Sequence, residues 1–174
     1  MNFQYRPEID GLRAVAVASV IIYHAQINIF GFHLFQGGYI GVDIFFVISG
    51  YLITSIILKE LKTTGKFSFH YFYERRIRRI IPALFIVMLS SLIFSWLFLL
   101  PDNFVSLSKS ILSSIGFISN FYFYFTGLDY AAEIGLQKPF LHTWSLSVEE
   151  QFYLIFPLVL VVLYLNYICS KYPR

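Results

Sequence analysis

Apolar residues in this chain form long blocks separated by short polar links, instead of alternating with polar residues. Four blocks, at 12–32, 42–58, 80–100 and 152–169, are close to the roughly 20 residues that an α-helix needs to cross a bilayer. A fifth, 104–125, carries Lys109 and several serines in its first half, so its pattern fits either a span or a re-entrant segment. We therefore predict an all-α fold, a polytopic transmembrane helix bundle of about four to five membrane segments.

The composition supports lipid as the solvent of these blocks. Of the 174 residues, 57% are hydrophobic and 13% are charged, whereas about a quarter of an average soluble domain is charged. The net charge is only +3 and the basic residues are concentrated in one segment, which excludes a nucleic-acid-binding face. A single cysteine, Cys169, provides neither a disulfide framework nor a metal-binding quartet. No metal site is predicted.

The distribution of basic residues predicts the topology. Seven of the 13 Lys and Arg residues lie between the second and third blocks, at positions 59–79. Because Lys and Arg in short loops mark the cytoplasmic side, this link and the amino terminus two spans earlier are predicted to be cytoplasmic. Residues 138–151 are then cytoplasmic if 104–125 crosses the membrane and external if it does not. Lys171 and Arg174 favour the external position.

Two polar residues interrupt the first apolar block. Arg13 and His24 are eleven positions apart, which is within about 20° of three whole helical turns and a rise of ~16 Å, so they share one face. Arg13 fits an interfacial anchor paired with Asp10, three positions earlier. His24 lies deep in the block, where an ionisable group indicates a functional site. It is a candidate general base, or alternatively a neutral histidine hydrogen-bonded to a neighbouring helix.

Four arginines precede the third block with a regular spacing. The pairs Arg75/Arg78 and Arg76/Arg79 each fall on one helical face. They fit either a topological anchor or a fork that binds phosphates at the cytoplasmic surface, because guanidinium groups bind phosphate bidentately. The spacing alone leaves both readings open.

Two further segments contain candidate residues. In the second block, Asp43 lies at the start of the span, and small Ser49 and Gly50 allow a helix or a ligand to approach closely. Ahead of the last block, the segment HTWSLSVEEQ gathers polar and aromatic side chains, and its acids fit either a catalytic role or the start of a helix capped by Ser145 or Ser147. The candidates in this segment are His142, Trp144, Glu149 and Glu150.

The order and spacing of four segments resemble the acyltransferase 3 family of integral membrane acyltransferases, which includes bacterial O-antigen and other polysaccharide O-acetylases. The segments are YRPEIDGLRAVAVASVIIYHA, GGYIGVDIFFVISGYLIT, FYERRIRRIIPAL and LHTWSLSVEEQFYLIFPL. The family's arginine and histidine of the first span correspond to Arg13 and His24. Its FFxxSG motif corresponds to residues 45–50, and its RxxR motif falls among the arginines of 75–79.

The resemblance implies an O-acyltransferase of the bacterial inner (plasma) membrane. The donor would be acyl-CoA, usually acetyl-CoA, with no permanently bound cofactor, and the acceptor a hydroxyl of a carbohydrate or lipid-linked glycan such as lipopolysaccharide O-antigen. The arginines at 75–79 would hold the donor phosphates, and His24 would take the acceptor proton or briefly carry the acyl group. Arg13 would orient the donor, and Glu149 or Glu150 would orient a histidine or the acceptor.

The length of the chain leaves two alternatives open. The family domain is about twice as long, with about ten spans, so the carboxyl-terminal half is an expected partner. A truncated product without a competent site is the first alternative, and a small membrane transport or binding protein with Arg13 and His24 along its path is the second.

Overall fold

The computed structural model describes residues 6–25, 28–29, 32–33, 36–126 and 140–171. These residues are almost entirely helical, which confirms the predicted all-α membrane fold. They form two compact units, one ending at Thr63 and one beginning at Thr64. The first contains α1 (Pro7–His24), the two-residue strands β1 (Asn28–Ile29) and β2 (Phe32–His33), and α2 (Ile40–Thr64). The second contains α3 (Phe69–Phe98), α4 (Pro101–Ile115), α5 (Ser119–Phe125) and α6 (Thr143–Lys171).

Three helices within the described ranges, α2, α3 and α6, are long and apolar enough to cross a membrane. The helix α1 differs from the predicted span 12–32, because it ends at His24 and is followed by an antiparallel pairing of Asn28 with His33. Polar residues after His24 and a glycine at position 31 break the apolar pattern there. Whether α1 crosses the membrane stays a prediction.

Glycines hold α1 and α2 close together within the first unit. A Cβ atom added to Gly41 would lie 2.4 Å from the Ala16 carbonyl oxygen and 2.8 Å from Val20 Cγ2. One added to Gly38 would lie 2.3 Å from the Ser19 carbonyl oxygen. These distances leave no room for a side chain, so α2 begins in direct contact with the backbone of α1.

Alanine at Gly41 is expected to separate α1 from α2, because the added methyl group meets backbone atoms that cannot rotate away. Overpacking of this kind costs about 1–3 kcal/mol, so we expect a lower melting temperature of the detergent-solubilised protein. Gly50→Ala is the matched control, since a Cβ at Gly50 meets nothing within 4 Å. Alanine is also the better helix former by about 1 kcal/mol. Equal melting temperatures of the Gly41→Ala and Gly50→Ala proteins would contradict this packing.

The helix α3 begins earlier than the predicted third span. The predicted span begins at residue 80, which would place Pro82 in the first turn of the helix, but α3 starts at Phe69 and Pro82 lies inside it. At 1.5 Å per residue, its 30 residues are about 45 Å long, and a hydrocarbon core is about 30 Å thick. The arginines at 75–79 therefore belong to the same continuous helix as the apolar run.

The segment 104–125 is broken into α4 and α5 at residues 116–118, where Phe117 has a positive φ of 51°. Buried hydroxyl groups join both helices to α6. Ser114 and Thr143 share a hydrogen bond of 2.7 Å, Thr143 donates to Ser119 at 3.0 Å, and Ser119 and Ser147 lie 2.7 Å apart. Two serines of this segment, Ser114 and Ser119, thus find hydrogen-bond partners on α6 inside the unit. Whether 104–125 crosses the membrane is still a prediction.

Two further contacts fix α6 against its neighbours. Asn120 and Gln151 exchange amide hydrogen bonds of 3.1 and 3.0 Å, and Gln151 also donates to the Phe117 carbonyl oxygen at 2.8 Å. The second unit also contains a small apolar core, which comprises Met88, Leu107, Ile111 and Phe140. The helix begins at Thr143, so the predicted cap at Ser145 or Ser147 is wrong: both serines lie inside α6.

Candidate functional site

In the first unit, Arg13 lies against Phe45, which belongs to the segment GGYIGVDIFFVISGYLIT. Its guanidinium carbon is 5.7 Å from the centroid of the Phe45 ring. The Nε atom is buried and has no hydrogen-bond partner within the described residues. The predicted ion pair with Asp10 is not formed, since no carboxylate of the described chain lies within 4.0 Å of Arg13. An aromatic ring thus supports this cation in place of a carboxylate.

His24 is the last residue of α1, and its side chain is exposed in the part of the chain that the structure describes. Its Nδ1 lies 2.9 Å from the Val20 carbonyl oxygen, and its ring meets the Tyr23 ring edge-on at 5.2 Å. A carbonyl oxygen only accepts hydrogen bonds, so Nδ1 carries the proton in a neutral imidazole. Nε2 is then the nitrogen that can accept a proton, as a general base requires.

The other candidates in the first unit have distinct environments. Asp43 is exposed in the first turn of α2, where a negative charge complements the helix dipole. Ser49 is buried. Gly50 has open space where a side chain would lie. Helix packing therefore explains the small size of Ser49 but not that of Gly50.

In the second unit, the four arginines of α3 separate into two kinds. Arg75 and Arg79 are exposed, and Arg75 lies over the Tyr71 ring at 4.2 Å. Arg78 is also exposed and pairs with Glu74 at 2.8 Å. Arg76 is half-buried. These contacts distinguish Arg76 from the other three arginines, which the sequence spacing could not do.

Arg76 lies between two aromatic rings. Its guanidinium carbon is 3.4 Å from the centroid of the Tyr153 ring on α6 and 4.8 Å from that of Phe72. Its Nε is buried and finds no hydrogen-bond partner in the described part of the chain. Arg13 and Arg76 therefore share one arrangement, in which a guanidinium is held by π contacts while a donor stays unpaired.

The two acids of α6 lie near Arg76. Tyr153 donates a hydrogen bond to the Glu149 carboxylate, which is one helical turn before it. Glu150 is half-buried, and its Oε1 atom is buried without a partner among the described residues. The positive charge of Arg76 acts on Glu150 electrostatically, although the two do not approach within 4.0 Å. The structure thus brings Arg76, Glu149 and Glu150 together around Tyr153.

His142 and Trp144 lie at the start of α6. His142 is exposed and stacks on Phe140 with ring centroids 6.3 Å apart, while Trp144 is half-buried in the first helical turn. These positions do not place either side chain on the Arg76 guanidinium, which Tyr153 and Phe72 cover. Among the residues that the structure describes, no group of three His, Cys, Asp or Glu side chains is placed to hold a metal ion.

Sequence reasoning did not identify Tyr153, whose ring lies against Arg76, or Tyr73, whose hydroxyl contacts the backbone of Tyr153. Tyr153 follows Glu149 by four positions, a spacing that places the two side chains on one helical face. That spacing is the signal that could have found it. Tyr73 precedes Arg76 by three positions in the same way, but its partner lies about 80 positions further along the chain, so no local signal exists.

These features define a polytopic all-α membrane protein in which Arg13 and Arg76 each have a buried Nε atom without a hydrogen-bond partner among the described residues. The chain belongs to a family of acyltransferases: the family model described as "Acyltransferase domain" matches residues 6–169. This confirms the resemblance inferred from the motifs.

Two relatives show the extent of the similarity. Peptidoglycan O-acetyltransferase OatA of Listeria monocytogenes is 43% identical over 159 residues, which cover 91% of this chain and 25% of that protein. O-acetyltransferase OatA of Staphylococcus aureus is 40% identical over 160 residues, which cover 92% of this chain and 25% of that protein. The chain thus spans about a quarter of the length of these relatives. No solved structure matches it.

Proposed function

We propose that this chain takes part in the transfer of an acetyl group from acetyl-CoA to a hydroxyl group of a cell-envelope glycan. The observation that carries the proposal is that Arg13 and His24 lie on the same helix. Arg13 is held on the Phe45 ring, and the Nδ1 proton of His24 is donated to the Val20 carbonyl oxygen. Membership of the acyltransferase family supports the reaction class. The name of the Listeria relative supports peptidoglycan, rather than lipopolysaccharide O-antigen, as the kind of acceptor.

In this mechanism His24 acts as the general base. Nε2 accepts the proton of the acceptor hydroxyl, the oxygen attacks the thioester carbonyl carbon, and the carbon–sulfur bond breaks. The products are an acetyl ester of the glycan and coenzyme A, whose thiolate takes up the proton. Arg13 lies about three helical turns from His24, roughly 16 Å along the helix, so its role is to orient the donor and not to contact the reacting carbonyl oxygen.

Arg76 is the residue that we assign to the donor phosphates. Its unpaired Nε and its π contacts leave the guanidinium ready for a bidentate anion. The exposed arginines at 75, 78 and 79 anchor α3 at the cytoplasmic surface, consistent with an amino terminus in the cytoplasm. Glu149 holds the Tyr153 hydroxyl, and Glu150 lies close enough to interact electrostatically with Arg76.

Inverted vesicles that contain this chain test the proposal. With acetyl-CoA outside and peptidoglycan fragments as acceptor, we expect thiol release matched by an equal amount of base-labile acetate on the glycan. Vesicles without the chain are the control. Thiol release no greater than this control would contradict activity of the chain itself. Uptake of labelled acetyl-CoA or acetate without ester formation would indicate transport instead.

A further inference from the structure

A proline interrupts the hydrogen bonding of α6 close to the Arg76 site. Pro157 lies inside the helix and is fully buried. Because proline has no N–H group, the carbonyl of the residue four positions earlier loses its helical donor. That residue is Tyr153, whose ring lies beneath Arg76. A carbonyl without a hydrogen-bond donor is strongly unfavourable in an apolar environment, and the helix itself does not supply the usual donor to this oxygen.

A side chain of α3 supplies that donor. The Tyr73 hydroxyl lies 3.3 Å from the Tyr153 carbonyl oxygen and 3.1 Å from that of Leu154, and a carbonyl accepts while the phenol donates. The single proton of the Tyr73 hydroxyl is shared between the two carbonyl oxygens. The hydroxyl therefore reaches the stretch of α6 backbone where Pro157 interrupts the helical hydrogen bonds.

Tyr73 and Arg76 act on the same residue from the same helix. They are three positions apart on α3, so they share a helical face. Tyr73 contacts the backbone of Tyr153, and Arg76 contacts its ring. The Tyr153 hydroxyl in turn holds the Glu149 carboxylate. Sliding or rotation of α6 against α3 would break both contacts between α3 and Tyr153 and would move Glu149 away from Arg76 together with Tyr153.

We propose that Tyr73 is a positioning residue for the anion site: its hydroxyl replaces the helical donor that Pro157 removes and thereby holds Tyr153 and Glu149 in register with Arg76. The significance for donor binding rests on the proposed function, whereas the coupling of Tyr73 to Pro157 does not. Proline at this position creates the acceptor, and tyrosine on α3 uses it to fix the register of the two helices.

A double-mutant cycle with Tyr73→Phe and Pro157→Ala tests this proposal. Tyr73→Phe is expected to lower the melting temperature and to weaken acetyl-CoA binding about tenfold, the effect of one hydrogen bond. The alanine introduced by Pro157→Ala carries an N–H group that can bond to the Tyr153 carbonyl. In that background, Tyr73→Phe should therefore have little further effect on either quantity. Tyr71→Phe is the control, since that exposed residue also lies in α3 and keeps its ring over Arg75.

The two measurements separate the possible failures. Equal effects of Tyr73→Phe in both backgrounds would overturn the coupling, and a change in melting temperature without a change in donor affinity would overturn the positioning role. If the unsubstituted protein binds no acetyl-CoA, the donor assignment fails, while the melting temperatures still decide whether Tyr73 compensates for Pro157.

Discussion

Replacing His24 with alanine is expected to reduce acetyl transfer by about 10²- to 10⁴-fold, the contribution of a well-placed general base. Because Nδ1 donates its proton to the Val20 carbonyl oxygen, Nε2 is the ring nitrogen that can accept a proton. Alanine removes this nitrogen but retains helix propensity, so the amount of protein in the membrane should not change. The measurements are base-labile acetate on the glycan and thiol release from acetyl-CoA.

His70→Ala is the matched control for this prediction. Its side chain is 94% exposed on α3 and lies 4.0 Å from Glu74, outside the proposed chemistry. We expect its activity to equal that of the unsubstituted protein. Near-normal acylation by the His24→Ala protein, at equal membrane abundance, would refute the assignment of His24 as the base.

The sequence predicts the helical class because length and apolar composition act locally. Blocks of about 20 apolar residues have to form helices in lipid, since every backbone group must find a partner within the segment. The ends of the helices are less predictable. From its start at Phe69, α3 extends through the basic positions that the apolar pattern assigned to a link. Likewise, Ser114 of α4 finds a partner in Thr143 of α6, and this pairing is not visible in the sequence of α4 alone.

The candidate site shows the same limit. Spacing alone placed Arg13 and His24 on one face and grouped the arginines of α3. It could not show which arginine is half-buried, because this depends on Tyr153, which is far along the chain. The contact between Tyr73 and the carbonyl exposed by Pro157 has the same origin. Local periodicity thus predicts which residues share a face, whereas long-range packing decides which of them contact a second helix.

Arg76→Ala is expected to raise the KM for acetyl-CoA about 10- to 100-fold, since a hydrogen bond to a charged group contributes about 1.5–3 kcal/mol. The kcat should change less, because phosphate contacts hold substrate and transition state alike. Arg76→Lys should give an intermediate KM: it keeps the charge but loses the planar fork that lies on Tyr153. Arg75→Lys is the matched control, because Arg75 also lies over a tyrosine ring but is exposed.

A second comparison separates donor binding from stability in the Arg76 variant. Arg76→Ala removes the positive charge that acts on the half-buried Glu150, so the ionised form of Glu150 becomes less favourable, and either keeping that charge or protonating the group reduces the stability of the fold. Adding Glu150→Gln should restore the melting temperature without restoring the KM for acetyl-CoA. If it restored both, the role of Arg76 would be to compensate Glu150, and the donor phosphates would bind elsewhere. If Arg76→Ala and Arg75→Lys gave the same KM as the unsubstituted protein, Arg76 would have no role in donor binding.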